Sequence, residues 1–377
     1  MEDAHKMRSV EDYRKMAKKI LPEPCWNIYD YPGPNRQTAS DSIYAFKRYR
    51  FRPRVLTNVS RRRLATTVLG QPVSIPIGIS PTANHVFASQ DAEIATAKGA
   101  AAAGAVMIQS TFSYKRIKDV TASSPGGLRW MQAYIFRDRR ITEHLVREAE
   151  AAGYKAIVVI IDSPVPGLDS EISRDFARLS EEMNRYPHMD IGQPEMQAAK
   201  KAGIPGIVKY NLGQYDDSLT WEDIGWIRSI SSLPIVCKGI LTAEAARQAA
   251  DAGVKGILVS AHGGRQLDGV PAPIDALAEV VEAVRGRNVE VYMDGGVRTG
   301  ADVLKALARG AKAVFVGRPI LWGLACKGHA GVQHVLEILR TELEYAMALC
   351  GCQDVNTVPP DVVVHETFYH YNPKHKL

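Results

Sequence analysis

Short apolar runs alternate with alanine-rich amphipathic segments along most of the chain. Eight runs, each of five to eight residues and rich in β-branched side chains, have the length and composition of buried strands. These runs occupy residues 74–80, 105–110, 128–135, 156–162, 233–240, 256–260, 289–296 and 313–319. The intervening segments, such as residues 242–253 and 299–311, predict helices, and most of them close on a glycine.

A strand followed by a helix, repeated eight times, indicates βα units on a parallel sheet. Eight units in roughly 250 residues predict an α/β fold of the (β/α)8 TIM-barrel class rather than an open doubly wound sheet. We expect one domain over residues 1–377, with an N-terminal helical cap (1–70), a barrel (71–340) and a final helix with a polar tail (341–377). Residues 163–232, after the fourth strand, are expected to form a lid-like excursion.

Composition narrows the class of protein. The apolar runs are too short to cross a bilayer, and the N-terminal residues are charged where a signal peptide is apolar. Five cysteines, including the pair in CGC, show neither a disulfide framework nor the spacing of a metal site. The excess positive charge is concentrated at residues 46–54 and 61–63 without a nucleic-acid motif, so solvated loop arginines are expected there. We expect a soluble protein with no metal, membrane or nucleic-acid partner.

Polar residues follow the predicted strands at their carboxyl ends, where barrels of this class place their active sites. The fourth strand ends in Asp162, and the sixth ends in Ser260 and is followed by His262 and Arg265. Histidine titrates near neutral pH, so His262 is a candidate general base. Asp162 is a candidate partner for its imidazolium form, and Arg265 offers a two-pronged donor for a carboxylate.

The last two strands are followed by residues typical of a phosphate site. Residues 294–300 read DGGVRTG and residues 317–319 read GRP, each before a predicted helix. Free backbone N–H groups and guanidinium groups at such positions bind phosphate. Lys238 ends an apolar strand and needs an anionic partner, which a reduced flavin or a neighbouring barrel carboxylate would supply.

These residues together resemble the FMN-dependent 2-hydroxy acid oxidase family, which includes glycolate oxidase, long-chain hydroxy acid oxidase and lactate oxidase. The similarity covers nearly the whole chain and is most specific in SAHGGRQLDGVPAPIDAL and VYMDGGVRTGADVLKALARGAKAVFVGRPILWGLA, which look most like the animal peroxisomal enzymes. The resemblance implies bound FMN. It places the flavin on Pro81, Thr82, Ala83, Ser110, Gln132, Lys238 and Ser260, and the phosphate on Asp294, Gly296, Arg298, Gly317 and Arg318.

The same resemblance implies a reaction. His262 is the base, Asp162 its partner and Arg265 a ligand of the substrate carboxylate, while the hydroxyls of Tyr31 and Tyr134 hold the substrate. In the family, the base takes a proton while the C2 hydrogen leaves as a hydride or, in an older view, the carbon becomes a carbanion. We therefore expect a small 2-hydroxy acid such as glycolate or lactate to become a 2-oxo acid, with O2 as electron acceptor and hydrogen peroxide as product.

The substrate side departs from the family pattern. Asp169 stands where a second carboxylate-binding arginine is expected, and Ile160, Phe112 and Ala261 replace threonine, tryptophan and asparagine. A carboxylate at that position would repel a substrate carboxylate. Two alternatives therefore stay open: oxidation of an atypical alcohol or amine, whose cationic group Asp169 would accept, and a flavin-binding paralogue without catalysis.

The C-terminus and the family resemblance also bear on location and assembly. The C-terminal residues KHKL resemble the peroxisomal SKL address in a weaker form, and peroxide chemistry fits that compartment; the alternative is the cytoplasm. Members of the family are usually homo-oligomers and often tetramers, so a homotetramer is expected.

Overall fold

The computed structural model of the chain describes residues 7–31, 35–167, 175, 179 and 186–370. Within these residues the strands are Tyr49–Phe51 (β1), Thr66–Val68 (β2), Gln71–Val73 (β3), Ile77–Ile79 (β4), Met107–Gln109 (β5), Arg129–Ala133 (β6), Ile157–Ile160 (β7), Ile235–Ile240 (β8), Gly256–Val259 (β9), Glu290–Asp294 (β10), Ala313–Val316 (β11) and Val363–His365 (β12). Each of β4 to β11 lies inside one of the eight apolar runs of the sequence.

The same residues contain helices around the strands. They are Val10–Ile20 (α1), Glu23–Asp30 (α2), Gln37–Tyr44 (α3), Ala92–Ala102 (α4), Ile117–Ser123 (α5), Arg139–Ala151 (α6), Pro194–Lys201 (α7), Gly203–Gly213 (α8), Trp221–Ile230 (α9), Ala243–Asp251 (α10), Pro273–Ala283 (α11), Gly300–Ala308 (α12), Arg318–Cys350 (α13) and Thr367–His370 (α14). None of the helices in these ranges is both long and apolar enough to cross a membrane.

Strands β4 to β11 form one closed parallel barrel, which confirms the predicted (β/α)8 fold. The closure is made by β4, the first barrel strand, which pairs in parallel with β11, the last. Three fully buried rings, Trp130, Tyr292 and Phe315, fill the barrel interior with centroids 5.5 to 5.7 Å apart. Because these rings fill the interior, the space for a ligand lies at the carboxyl ends of the strands.

A small hairpin seals the opposite end of the barrel. Strands β2 and β3 pair antiparallel, and Val68 and Val73 join the same apolar cluster as the interior rings. The backbone N–H of Leu69 donates to the hydroxyl of Tyr292 at 3.2 Å and to a carboxylate oxygen of Glu290 at 3.0 Å. These contacts fix the hairpin to the start of β10.

The barrel helices begin and end at residues suited to those positions. Thr299 and Asp302 form a capping box at α12, in which each side chain accepts a hydrogen bond from the backbone of the other. Thr220 and Asp223 form the same motif at α9. Local side chains thus satisfy the first backbone N–H groups of both helices.

The N-terminal cap differs from a purely helical one. Helices α1 to α3 are followed by a 3-10 turn, Ala45–Arg48, and then by β1. Strand β1 pairs antiparallel with β12, so that Tyr49 lies opposite His365. The part of residues 1–70 that the structure describes is therefore partly helix and partly sheet.

The final helix starts earlier than predicted. Helix α13 begins at Arg318, not near residue 341, and the backbone leaves helical geometry at Lys327 and Gly328. Its end is marked by Gly351, with φ +72° in the left-handed region. The second helical segment therefore begins after Gly328, before the boundary predicted at residue 341.

The excursion after β7 is not irregular throughout. Its described part contains α7 and α8, and α9 packs beside the barrel core through Ile224 and Ile227. Residues 168–174, which include Asp169, and the tail 371–377 lie outside the described residues.

The arginine-rich stretches are paired rather than merely solvated. They meet carboxylates from near the other end of the sequence in the pairs Arg50–Glu366, Arg54–Asp361, Arg62–Glu344 and Arg63–Asp354. The sequence could not show this, because the partners are separated by about 280 to 320 residues. Each pair is partly exposed, so each contributes at most about 1 kcal/mol.

Candidate active site

A cavity of about 680 Å³ opens at the carboxyl ends of the barrel strands. Its wall contains most of the residues assigned from the sequence: Tyr31, Pro81, Thr82, Ala83, Ser110, Gln132, Tyr134, Lys238, His262, Arg265, Asp294, Gly296, Arg298, Gly317 and Arg318. Asp162 and Ser260 do not line the cavity, but both form hydrogen bonds with His262, which does. Asp169 lies outside the described residues.

His262 lies on the cavity wall in a left-handed backbone conformation. It starts the 3-10 turn His262–Gly264 with φ +52°. Its Nδ1 is 2.9 Å from Oδ1 of Asp162, and its backbone N–H donates to the hydroxyl of Ser260 at 3.1 Å. The structure therefore forms the predicted imidazole–carboxylate pair. Ser260 fixes this turn, and its contact with the flavin stays a prediction.

The carboxylate of Asp162 lies beside positive charges that lower its pKa. Burial raises its pKa, but the charge and hydrogen bond of His262 and the charge of Lys238 outweigh burial, so the pKa of Asp162 lies below its ordinary value of 3.8. Asp162 is therefore negatively charged at neutral pH. A fixed negative charge at Nδ1 stabilises a proton taken up by the opposite ring nitrogen, Nε2.

Lys238 points into the site from β8 and faces a carboxylate. Its Nζ is 3.8 Å from Oδ2 of Asp294, and that oxygen also accepts a hydrogen bond from Ser80 at 2.9 Å. Both charged residues are buried. Of the two partners considered for Lys238, the barrel carboxylate is thus present. The structure thus shows Asp294 beside Lys238, and its role at a phosphate stays a prediction.

Two consecutive glycines form a close turn after β10. Gly295 and Gly296 have φ values of +91° and +78°. A Cβ atom on Gly296 would lie 1.8 Å from the carbonyl oxygen of Ser42, so no side chain fits there. The turn leaves backbone groups facing the cavity at the end where Arg298 and Gly317 also lie.

Three guanidinium groups converge near this turn. Burial, together with the charges of Arg265 and Arg298, lowers the pKa of Arg318 to about 9. Burial also lowers the pKa of Arg298 to about 10, and this side chain lies over the ring of Trp322 at 5.2 Å. Charges of the same sign held this close favour binding of an anion.

Two of these arginines also hold the N-terminal cap. Arg318 donates to the carbonyl oxygens of Tyr29, Tyr31 and Gly263 at 2.8 to 3.1 Å. Arg265 donates to the carbonyl oxygen of Ile28 at 2.8 Å. The carbonyls of Ile28, Tyr29 and Tyr31 lie at the carboxyl end of α2, where the helix dipole favours cations. The arginines thus join the cap to the barrel rim, a role that the sequence did not suggest.

The site fits FMN. The amide Nε2 of Gln132 is buried and has no hydrogen-bond partner among the described residues, so it is available to a ligand with an acceptor atom. The glycine turn and the converging arginines supply the N–H and cationic groups that a flavin phosphate requires, and Lys238 supplies a positive charge for the flavin ring. The cavity volume is within the range of cofactor sites.

The remaining wall of the cavity is largely aromatic and apolar. The ring of Phe112 lies 5.6 Å from that of Tyr134 and 5.4 Å from that of Tyr186, and Tyr134 lies 5.3 Å from Tyr215. Burial and the neighbouring Tyr215 raise the pKa of Tyr134 above 10, so its hydroxyl stays protonated. Tyr186 and Tyr215 were missed in the sequence because they come from the excursion, which has little periodicity.

Comparisons with known proteins agree with this geometry. A structure of mandelate oxidase with (S)-4-hydroxymandelic acid superposes with a TM-score of 0.85 at 34% identity, covering 95% of this chain and 98% of the other. Human 2-hydroxyacid oxidase 1 is 46% identical over 94% of this chain and 95% of its own length. Glycolate oxidase 3 of Arabidopsis thaliana is 44% identical over 93% and 94%. The FMN-dependent dehydrogenase model matches residues 17–365. The chain therefore belongs to the FMN-dependent 2-hydroxyacid oxidase family, whose enzymes use FMN to oxidise CH–OH groups.

Proposed function

We propose that the protein oxidises a 2-hydroxy acid to a 2-oxo acid and passes the electrons to O2. The observation that carries this proposal is the contact of 2.9 Å between Nδ1 of His262 and Oδ1 of Asp162 on the wall of a cavity that fits FMN. This pair leaves Nε2 of His262 to take the proton of a substrate hydroxyl. The negative charge of Asp162 favours that transfer.

Arg265 is the proposed ligand of the substrate carboxylate. Its guanidinium lies 5.8 Å from the ring centroid of Tyr31, and both residues line the cavity with His262. A planar guanidinium binds a carboxylate with two parallel hydrogen bonds, which orients the neighbouring C2 carbon. The hydroxyl of Tyr134, protonated at neutral pH, is a proposed donor to the bound acid.

FMN, when bound, would accept the electron pair, and its reoxidation would reduce O2 to hydrogen peroxide. Lys238 contributes a buried positive charge beside Asp294 that stabilises negative charge arising in the cavity. Exclusion of water strengthens such electrostatic interactions. The aromatic wall of Phe112, Tyr134 and Tyr186 supports that exclusion.

The apolar part of the wall also bears on the choice of acid. Ile160, Phe112, Val208 and Leu212 line the cavity on the substrate side. Apolar side chains there favour 2-hydroxy acids that carry a hydrocarbon group over glycolate, which has none. The structural relatives that bind mandelic acid support the same choice. We therefore propose lactate and larger apolar 2-hydroxy acids as substrates.

Anaerobic titration of the FMN-loaded protein tests the proposal. We expect lactate and mandelate to bleach the flavin absorbance, and we expect oxygen to restore it with release of peroxide. Bleaching only by amines or simple alcohols would support the atypical-substrate alternative, in which Asp169 accepts a cationic group. No bleaching by any compound of the panel, in protein that binds FMN, would support the paralogue without catalysis. A His262→Gln variant should bind FMN and stay yellow.

We further propose a homotetramer and a peroxisomal location. The family resemblance supports the first, and the C-terminal KHKL supports the second. Light scattering of the purified protein tests the assembly. A fluorescent fusion that keeps the natural C-terminus, compared with one that lacks the last three residues, tests the location.

A further inference from the structure

A chain of three polar side chains runs from helix α4 to the wall of the FMN cavity. His85 lies in the 3-10 turn His85–Phe87 and is only 2% exposed. Its Nε2 is 2.6 Å from Oγ1 of Thr82, and its Nδ1 is 2.9 Å from Oγ1 of Thr96. Thr82 lines the cavity, whereas Thr96 is fully buried on α4.

The imidazole in this chain is neutral. Burial lowers the pKa of His85 to about 4, so the ring carries one N–H at neutral pH. A neutral imidazole donates a hydrogen bond from one nitrogen and accepts one at the other. The contacts of the two threonines therefore decide which way the chain of hydrogen bonds runs.

The surroundings of Thr96 favour one direction. Its Oγ1 lies 3.5 Å from the carbonyl oxygen of Ala92, one turn earlier in α4, and donates its hydroxyl proton there. The lone pairs of Thr96 are then left to accept the N–H at Nδ1 of His85. Nε2 of His85 carries no proton in this tautomer, so it accepts a hydrogen bond from the hydroxyl of Thr82.

We propose that His85 is a positioning residue that turns the hydroxyl proton of Thr82 away from the cavity, so that Thr82 presents only lone pairs to bound FMN. The proposal rests on the FMN site but not on the choice of substrate. Reduction turns a flavin ring nitrogen from an acceptor into an N–H donor. A wall oxygen that can only accept hydrogen bonds therefore favours the reduced cofactor over the oxidised one.

Histidine NMR tests the direction of the chain in the FMN-loaded protein. Long-range ¹H–¹⁵N spectra of ¹⁵N-histidine-labelled protein separate the two tautomers, and a His85→Gln variant identifies the signals. We expect the proton on Nδ1 of His85 at pH 7. A proton on Nε2, or on both nitrogens, would overturn the proposal.

A second experiment measures the effect on the cofactor. Thr96→Val keeps the shape of the side chain but removes the acceptor of the Nδ1 proton, which frees His85 to adopt the other tautomer. We expect the affinity for reduced FMN, relative to that for oxidised FMN, to fall about fivefold. This is the effect of losing about one hydrogen bond. For a two-electron couple this corresponds to a midpoint potential lower by roughly 20 mV.

A matched control removes another buried threonine hydroxyl far from the cavity. Thr66→Val breaks the hydrogen bond of 2.6 Å to Asn356 and should leave the potential unchanged. An unchanged potential in Thr96→Val, or an equal change in Thr66→Val, would refute the proposal. Chemical reduction needs no substrate, so the test remains valid even if the proposed 2-hydroxy acid reaction fails.

Discussion

Nδ1 of His262 lies 2.9 Å from Oδ1 of Asp162, although the two residues are 100 positions apart in the chain. Each comes from the carboxyl end of a different barrel strand, β9 and β7. The pair depends on the barrel to bring the two strand ends together. The carboxylate both orients the ring and provides the charge that a base needs.

Removal of that charge should slow the reaction without loss of the cofactor. Asp162→Asn keeps an oxygen that can accept from Nδ1 but cannot stabilise the protonated imidazole. We expect flavin reduction by lactate to slow by about 10² to 10⁴. Stopped-flow absorbance under nitrogen measures this rate. Ser163→Ala, which removes a hydroxyl 3.3 Å from the same carboxylate, is the control and should slow the reaction less than about tenfold. Wild-type rates in Asp162→Asn would exclude this role.

Arg265 should control substrate affinity. Loss of a charge-assisted pair costs about 1.5 to 3 kcal/mol, so Arg265→Leu should raise KM for 2-hydroxy acids by about 10- to 100-fold. Arg247→Leu removes an exposed guanidinium paired with Glu244 and should leave KM unchanged. Oxygen consumption at varied substrate concentration measures both variants. An equal KM in Arg265→Leu and the wild type would show that another group binds the carboxylate.

The turn after β10 should tolerate no side chain. Gly296→Ala places a Cβ 1.8 Å from the carbonyl oxygen of Ser42, so we expect loss of FMN binding or of folding. Gly269→Ala is a matched control, because Gly269 also has a positive φ, +87°, but has no neighbouring atom within 4 Å. It should cost only about 1 kcal/mol of backbone strain. Fluorescence titration with FMN and circular dichroism compare the two, and normal FMN binding by Gly296→Ala would contradict the geometry.

Two buried histidines should make the fold sensitive to acid. Burial lowers the pKa of both His85 and His188 from 6.5 to about 4. Between pH 6.5 and 4 the unfolded chain binds protons that the folded protein does not, so stability falls as pH falls. The expected loss is about 2 kcal/mol per histidine by pH 5. Urea unfolding of His188→Gln at pH 7 and pH 5 should show a smaller loss than the wild type. His144→Gln, which changes an exposed imidazole, should not.

The backbone conformation of Leu56 should lower the free energy of unfolding. Leu56 is fully exposed and has φ +55°, a conformation that disfavours every residue with a side chain except asparagine and aspartate. Leu56→Gly should therefore raise the free energy of unfolding by about 1 kcal/mol. Val55→Gly, at an exposed neighbour without positive φ, should lower it. Chemical denaturation measures both, and a destabilised Leu56→Gly would contradict the strain at this turn.

The sequence predicted the barrel and its rim because strand length and strand ends are local properties. Each barrel strand falls inside a predicted run, and the residues that follow these strands meet around one cavity. The direction in which a side chain points depends on its contacts with other parts of the fold. The sequence therefore did not show that Asp294 turns to Lys238 or that Ser260 supports the backbone of His262. The roles assigned to these residues remain predictions.

Other features depended on distant or irregular segments. Arg318 was assigned to a phosphate, but its hydrogen bonds to the carbonyls of Tyr29 and Tyr31 follow only from the packing of the cap. Tyr215 reaches the cavity from the excursion, where no repeating pattern marks it. Asp169, the strongest departure from the family pattern, lies outside the described residues.

The pairing of β1 with β12 also bears on how a nascent chain reaches its native state. Tyr49 can find His365 only after more than 300 further residues have left the ribosome. Closure of β4 onto β11 likewise waits for almost the whole polypeptide. Such long-range contacts slow folding, so the early segments remain exposed to chaperones during translation.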